Sequence, residues 1–167
     1  MVESWERQIR RIALGSDHAA FELKEALKKH LQSKGIEAID CGTHTRETAD
    51  YPDFAEKVAS LVSTGRVSEG ILVCGTGIGM SMVANKYPNV RAAVVSTPFT
   101  AKSSRAHNDA NILCLGARVV DEKTALELTD IFLAEPFEGG RHAGRVEKIK
   151  QLDKGIVPPS KLENDKC

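Results

Sequence analysis

Cys74-Gly75-Thr76-Gly77-Ile78-Gly79 puts a thiol at the entrance of a loop in which every second residue is glycine. Alternate glycines let a backbone approach a ligand closely and present its N–H groups to negative charge, and a thiolate is a base and a nucleophile. Upstream, Gly15-Ser16-Asp17-His18 sets an acid beside an imidazole, and downstream Arg105-Ala106-His107-Asn108-Asp109 sets four polar groups in five residues before an apolar run. Arg118 follows that run, and Arg141 and Arg145 stand four apart, the spacing of one helical face. Paired arginines suit a phosphate, whose oxygens accept forked hydrogen bonds. A thiol, histidines, an N–H-rich loop and arginines together suit proton transfer on a phosphorylated small molecule.

Each feature also has a plainer explanation. Cys74 alone could be a small buried hydrophobe, Ser16 or Asp17 a helix cap, His107 a helix-end cation, and the arginine pair a solvated face. The loop lacks the signatures of better-known ones. Met80 stands where a dinucleotide loop needs its last glycine and where a cysteine phosphatase needs its arginine, and no Gly-Lys-Ser/Thr of a P-loop follows. An anion-holding loop with a thiol at its entrance remains.

The elements that must hold these residues alternate. Short apolar runs at Arg11–Gly15, Ile36–Asp40, Gly70–Cys74, Arg91–Val95 and Ile112–Gly116 read as strands, three of them nearly continuous as in a sheet covered on both faces. Between them, the stripe Ala20, Leu23, Leu27, Leu31 ends at Gly35, and the stripe Phe54, Val58, Leu61, Val62 ends at Gly65. Ser96-Thr97-Pro98 opens a helix, Asp121 caps one carrying Ala125, Leu128 and Phe132, and a last polar helix runs from near Arg141 to about Lys154. This predicts an α/β fold: a three-layer α/β/α sandwich around a five-stranded, mostly parallel, Rossmann-like sheet, with the site at the carboxyl ends of its strands. Residues 1–155 read as one domain with an N-terminal extension over 1–9, and 156–167 as a tail.

The 167 residues are 41% hydrophobic and 28% charged, with 23 basic and 23 acidic residues. That zero balance argues against nucleic acid or an anionic membrane as main partner. The four cysteines form no CxxC pair and sit at no zinc-ligand spacing, so they read as reduced thiols of a cytoplasmic protein. Met1 to Arg11 has no apolar run of signal-peptide type, and no stretch approaches a membrane span.

Gly15-Ser-Asp-His18, Asp40-Cys-Gly42, Asp50-Tyr-Pro52, the Cys74–Gly79 loop, Ala84-Asn-Lys86, Val90-Arg-Ala92, Ser104–Asp109 and Gly139-Gly-Arg-His142 together resemble the B-type ribose-5-phosphate isomerases. Their wider family includes the galactose-6-phosphate and allose-6-phosphate isomerases. The resemblance spans about Arg11 to Lys150 and implies aldose–ketose isomerisation of ribose 5-phosphate and ribulose 5-phosphate through an enediolate, a step of the pentose phosphate pathway. It assigns Cys74 as the base between C1 and C2 and His107 as the residue that opens the furanose ring. Thr76 and the loop at Gly75, Gly77, Ile78 and Gly79 stabilise the enediolate, with Asn108 beside them. Asp17 and Tyr51 hold sugar hydroxyls; His18, Arg141 and Arg145 hold the phosphate; Arg118 reaches in from a second subunit. One branch of the family uses a glutamate base at the position of Met80, which leaves Cys74 as the base here. A homodimer or homotetramer with sites at the subunit interface is implied, with no metal and no organic cofactor. The alternatives are a six-carbon sugar phosphate as substrate, or a non-catalytic phosphosugar-binding module. A single chain carrying every site element favours the five-carbon substrate.

Overall fold

Apolar residues alternate across each strand of the sheet, and that alternation divides the core in two. The computed structural model describes residues 9–153; the expected tail, the extension before Ile9 and the helix end at Lys154 lie outside them. Ile12, Leu14, Ile71, Val73, Leu113 and Leu115 face one side, whereas Ala13, Leu72, Cys74, Ile112 and Cys114 face the other. Both sides being buried, the strands need apolar residues at nearly every position.

The strands are β1 (Arg11–Ser16), β2 (Glu37–Asp40), β3 (Glu69–Cys74), β4 (Ala92–Val94) and β5 (Ile112–Gly116). The helices are α1 (Phe21–Ser33), α2 (Tyr51–Ser63), α3 (Ile78–Ala84), α4 (Pro98–Ala106), α5 (Glu122–Ala134) and α6 (Ala143–Leu152). The sheet order is β2-β1-β3-β5-β4. Every pairing is parallel, which sharpens the mostly parallel expectation. The reason is the connections: each of the four carries a helix back along the sheet, so each strand restarts at the same edge. Residues of α1, α4 and α5 pack on one face and those of α2 and α3 on the other.

Local signals stop and start these helices where the sequence said they would. Gly35 and Gly65 take φ of 72° and 71°, which only glycine adopts freely. Past each, the N–H groups of Ile36 and Arg66 return 3.0 Å bonds to Leu31 and Leu61, closing the two helix ends. Asp121 caps α5 by accepting from the Thr124 N–H at 2.8 Å. Two strands are shorter than their apolar runs, because the ends of β2 and β4 are edge positions with one neighbour only.

Lys24 was not foreseen. It lies on the buried stripe of α1 and is wholly buried. Its ammonium meets both oxygens of Asp40 at 2.9 and 2.7 Å, with Glu25 at 2.8 Å. Asp40 also takes Lys28 at 2.8 Å and the Gly42 N–H at 3.2 Å. A Cβ on Gly42 would lie 2.5 Å from the Ser16 nitrogen, so this turn is wedged against the end of β1. Burial alone would raise the Asp40 carboxyl; Lys24 and Lys28 outweigh it and hold it below the usual range. Its stabilisation is therefore present at neutral pH and is lost as pH falls through that lowered value.

Asp40→Asn strands the buried ammonium with Glu25 alone and should cost about 3 kcal/mol, lowering Tm by roughly 6–12 °C at pH 7. Thermal melts down to acid pH check this: the gap to the parent should close as Asp40 protonates, and a pH-independent gap would point to packing instead.

Candidate active site

The chain steps outward from β1 to β2, then crosses back so that β3 lies on the other side of β1. A sheet wound this way opens a crevice at the carboxyl ends of the two diverging strands, here β1 and β3. Asp17 and His18 follow β1, and Cys74 ends β3.

Cys74 is nearly buried on the α2–α3 face, as a packing residue would be, yet its sulfur is not in a purely apolar setting. The Gly77 N–H donates to Sγ at 3.1 Å. Gly77 can aim that amide because it caps α3 with φ of 79°. A Cβ there would also sit 3.1 Å from the Leu115 carbonyl carbon, so space and conformation both demand glycine. Thr76 Oγ1 accepts from the Ile78 N–H at 3.3 Å. Two loop amides are thus occupied by the loop's own side chains. The N–H groups of Gly75, Thr76, Gly79 and Met80 have no partner among the described residues, and they are the donors left for a ligand oxygen.

Around this loop the structure gathers most of the expected residues. The Tyr51 ring packs on Gly79 so closely that a Cβ there would meet it at 2.7 Å. His18 Nδ1 lies 3.2 Å from both the N–H and the carbonyl of Ala49. A neutral ring with its proton on Nε2 accepts from the amide and a protonated ring donates to the carbonyl, so the side chain is held in either state. Asp17 caps the short 3₁₀ turn His18–Ala20, accepting from the Ala19 N–H at 3.1 Å. Burial pushes its carboxyl pKa up, against the opposing pull of His18, the Ala19 and Ala20 amides, and Arg118. Arg118 was expected from a second subunit. Within one chain, its side chain runs past Gly75, 3.6 Å from where a Cβ would stand.

The site was expected at the carboxyl ends of the strands, yet His107, Asn108, Arg141 and Arg145 are not there. Helix α4 carries the chain back across the sheet, so His107 is its C-cap and stands just before β5 begins, at the amino edge. Helix α5 returns to the same edge, where the Glu138 N–H bonds the Ala106 carbonyl at 3.0 Å. The five residues of β5 alone span about 13 Å, so Cys74 and His107 of one chain cannot share a small ligand. Asn108 likewise does not join Thr76 in one chain.

The amino-edge group is built firmly. Asp109, with φ of 47°, closes the turn after α4 and takes Arg91 at 2.9 Å and Arg105 at 3.3 Å. His107 stacks on His142, ring centroids 4.4 Å apart at 12°, and Arg141 and Arg145 lie close enough to His142 to act on its charge. Sequence reading assigned no role to Glu138 or His142; the motif Gly139-Gly-Arg-His142 was visible, but not its stacking partner. Among the described residues, His107, Glu138 and His142 are the group whose ligand atoms, all within 4.8 Å of one another, could hold a metal. Stacked rings point their in-plane lone pairs side by side rather than at one centre, and two arginines stand beside them. That setting suits an anion better than a cation.

Fold and crevice define a doubly wound α/β protein that offers free amides and a thiol at one sheet edge and arginines at the other, the dress of a protein for phosphorylated small molecules. The chain belongs to the Ribose/Galactose Isomerase family, whose model matches residues 12–149. It is 46% identical over 145 residues to the ribose-5-phosphate isomerase B of Escherichia coli, covering 87% of this chain and 97% of that protein. The ribose-5-phosphate isomerase B of Clostridium thermocellum superposes with a TM-score of 0.85 at 50% identity, covering 87% of this chain and 98% of that one. That of Mycoplasma genitalium, solved with bound ribulose-5-phosphate, gives 0.84 at 41% identity, covering 87% and 97%.

Asp17 gives a test that separates binding from stability. Its raised pKa means the folded state penalises the charged form, so the penalty is present at neutral pH and vanishes on acidification. Asp17→Asn should melt at or above the parent's temperature at pH 7 and lose that margin near pH 4, while sugar-phosphate turnover falls. A variant that melts lower at pH 7 would contradict this assignment.

Proposed function

We propose that this chain is a ribose-5-phosphate isomerase working in the cytoplasm as a homodimer or larger homo-oligomer. The observation that carries the chemistry is the Cys74 sulfur, held by the Gly77 amide beside the unbonded amides of its loop at the carboxyl edge. Relatives of nearly full length that are named for this reaction support the substrate.

The reaction follows from the groups. The Cys74 thiolate takes the C2 proton of the open-chain aldose. The C–H electrons form the C1=C2 bond, and the C1 carbonyl oxygen becomes an enediolate oxygen facing the Gly75 and Thr76 amides. One such donor, aimed before charge develops, is typically worth about 3 kcal/mol. The thiol returns the proton to C1 as the hydroxyl proton passes from O2 to O1, leaving a carbonyl at C2 with no net redox change. Asp17 and Tyr51 hold sugar hydroxyls, with Arg118 beside Asp17. His18 meets the phosphate from this edge.

The remaining groups, His107 for ring opening, Asn108, and Arg141 and Arg145 for phosphate, come from the amino edge of a second copy. The span of β5 requires this if all of them act on one sugar. Exposed Ile78, Met82, Val94, Phe99 and Val119, on α3, β4, α4 and the turn after β5, offer apolar surface near the carboxyl edge for that copy to cover. Cys41, Cys74 and Cys114 are free thiols, the state a reducing compartment preserves. No described helix is long and apolar enough to cross a membrane.

Purified protein should convert ribose 5-phosphate without added metal, and Cys74→Ala should lose at least about 100-fold in kcat. Assays beside allose 6- and galactose 6-phosphates check the substrate. Faster turnover of a six-carbon sugar would overturn the five-carbon assignment, full activity of Cys74→Ala would overturn the base, and thermal stabilisation by ligand without turnover would mean a binding module.

A further inference from the structure

Glu138 and His142 have no part in the chemistry so far, yet they enclose the histidine assigned to ring opening. His142 is buried, and its ring lies flat against His107. Glu138 Oε2 stands 3.9 Å from His107 Nε2 and 3.7 Å from His142 Nε2, so one small rotation brings it into hydrogen-bond range of a protonated His107 Nε2. Its backbone is tied to Ala106, the residue before His107, so the carboxylate and the ring move as one unit.

We propose that Glu138 and His142 are the positioning residues of the ring-opening step: His142 fixes the plane of the His107 ring by stacking, and the Glu138 carboxylate stabilises that ring when it carries a proton. This rests on the reading that His107 opens the furanose. In that step the C1–O4 bond breaks, its electron pair goes to O4, and O4 takes the proton of the charged ring. The anomeric hydroxyl releases its proton to solvent, leaving the C1 aldehyde, and the ring takes a proton back.

The charges around the stack fit the assignment. Two charged imidazoles 4.4 Å apart would repel, so the pair works only if one stays neutral. Burial, then His107, Arg141 and Arg145, push the His142 pKa down, while Glu138 pulls the other way. Arg141 Nε, 3.4 Å from His142 Nε2, faces that ring's bare nitrogen. On the α4 side, Arg105 and Asp109 are paired with each other and leave Glu138 as the anion nearest the stack. The buried ring is the neutral support and the half-exposed one is left to exchange protons with a ligand.

Ribulose 5-phosphate has no furanose form, so proton exchange at its C1 in D2O reads the Cys74 step without ring opening. Glu138→Gln should slow turnover of ribose 5-phosphate about 10-fold or more while leaving that exchange intact. Loss of a nearby carboxylate makes a charged imidazole less stable, so the histidine limb of the kcat/KM profile should move to lower pH. His142→Ala should lose turnover similarly, and His142→Phe, which restores a flat ring, should recover most of it. Should exchange fall as far as turnover, or the Glu138→Gln profile overlay the parent's, the proposal is wrong. His107→Ala separates the two levels: if it loses turnover while the Glu138 and His142 variants do not, positioning alone fails. If His107→Ala keeps full turnover, ring opening by His107 fails and the proposal with it.

Discussion

Five strands running the same way give the sheet a chemically polarised pair of edges, and that polarity decides which side chains of this chain can meet. Whatever follows β1, β3 or β5 arrives at the carboxyl edge, and whatever precedes β5 sits at the other. Asp17, Cys74 and Arg118 fall in the first class, and His107 in the second. No side chain is long enough to cancel a strand's length. A ligand needing both Cys74 and His107 therefore imposes a second copy, and the open apolar positions beside the carboxyl edge become the natural place for it. Under the proposed reaction, a second copy would then be part of the catalytic geometry rather than an addition to it.

At the carboxyl edge the working detail is a count of amides. Helix α3 has only seven residues, so a macrodipole contributes less than individual N–H groups do. The left-handed turn at Gly77 gives one amide to the Cys74 sulfur, Thr76 absorbs another, and the Gly75, Thr76, Gly79 and Met80 amides remain free. The loop thus both bonds the Cys74 sulfur and leaves N–H donors open to a ligand oxygen. The buried Lys24–Asp40 pair serves the same edge from behind, since the turn it anchors is wedged on the strand end that carries Asp17.

Local signals made much of this legible in the sequence. Short apolar runs and the glycines at 35 and 65 marked strands and helix ends, because their causes lie within a few residues. The Cys74–Gly79 loop was legible for the same reason. Tyr51 entered only through resemblance, and its contact with Gly79 was not legible, since nothing in their spacing declares a meeting across the crevice. What sequence reading misplaced was the His107–Arg145 group, set with the others at the carboxyl edge. Reading residues by nearest strand ignores that a returning helix moves the next loop to the opposite edge. Lys24 escaped notice because lysine on a buried stripe makes sense only once Asp40, 16 positions on, supplies both oxygens. Glu138 and His142 were hidden likewise, their meaning residing in a ring from α4.

Complementation tests the shared site most directly. Co-expressed Cys74→Ala and His107→Ala chains pair at random. Each mixed dimer rebuilds one intact site, from the Cys74 of one chain and the His107 of the other, beside one doubly defective site. Two variants each nearly inactive alone should together recover about a quarter of the parent's ribose 5-phosphate turnover. A mixture no more active than its better component would mean that Cys74 and His107 do not act across two chains, and the account built on strand polarity would fall.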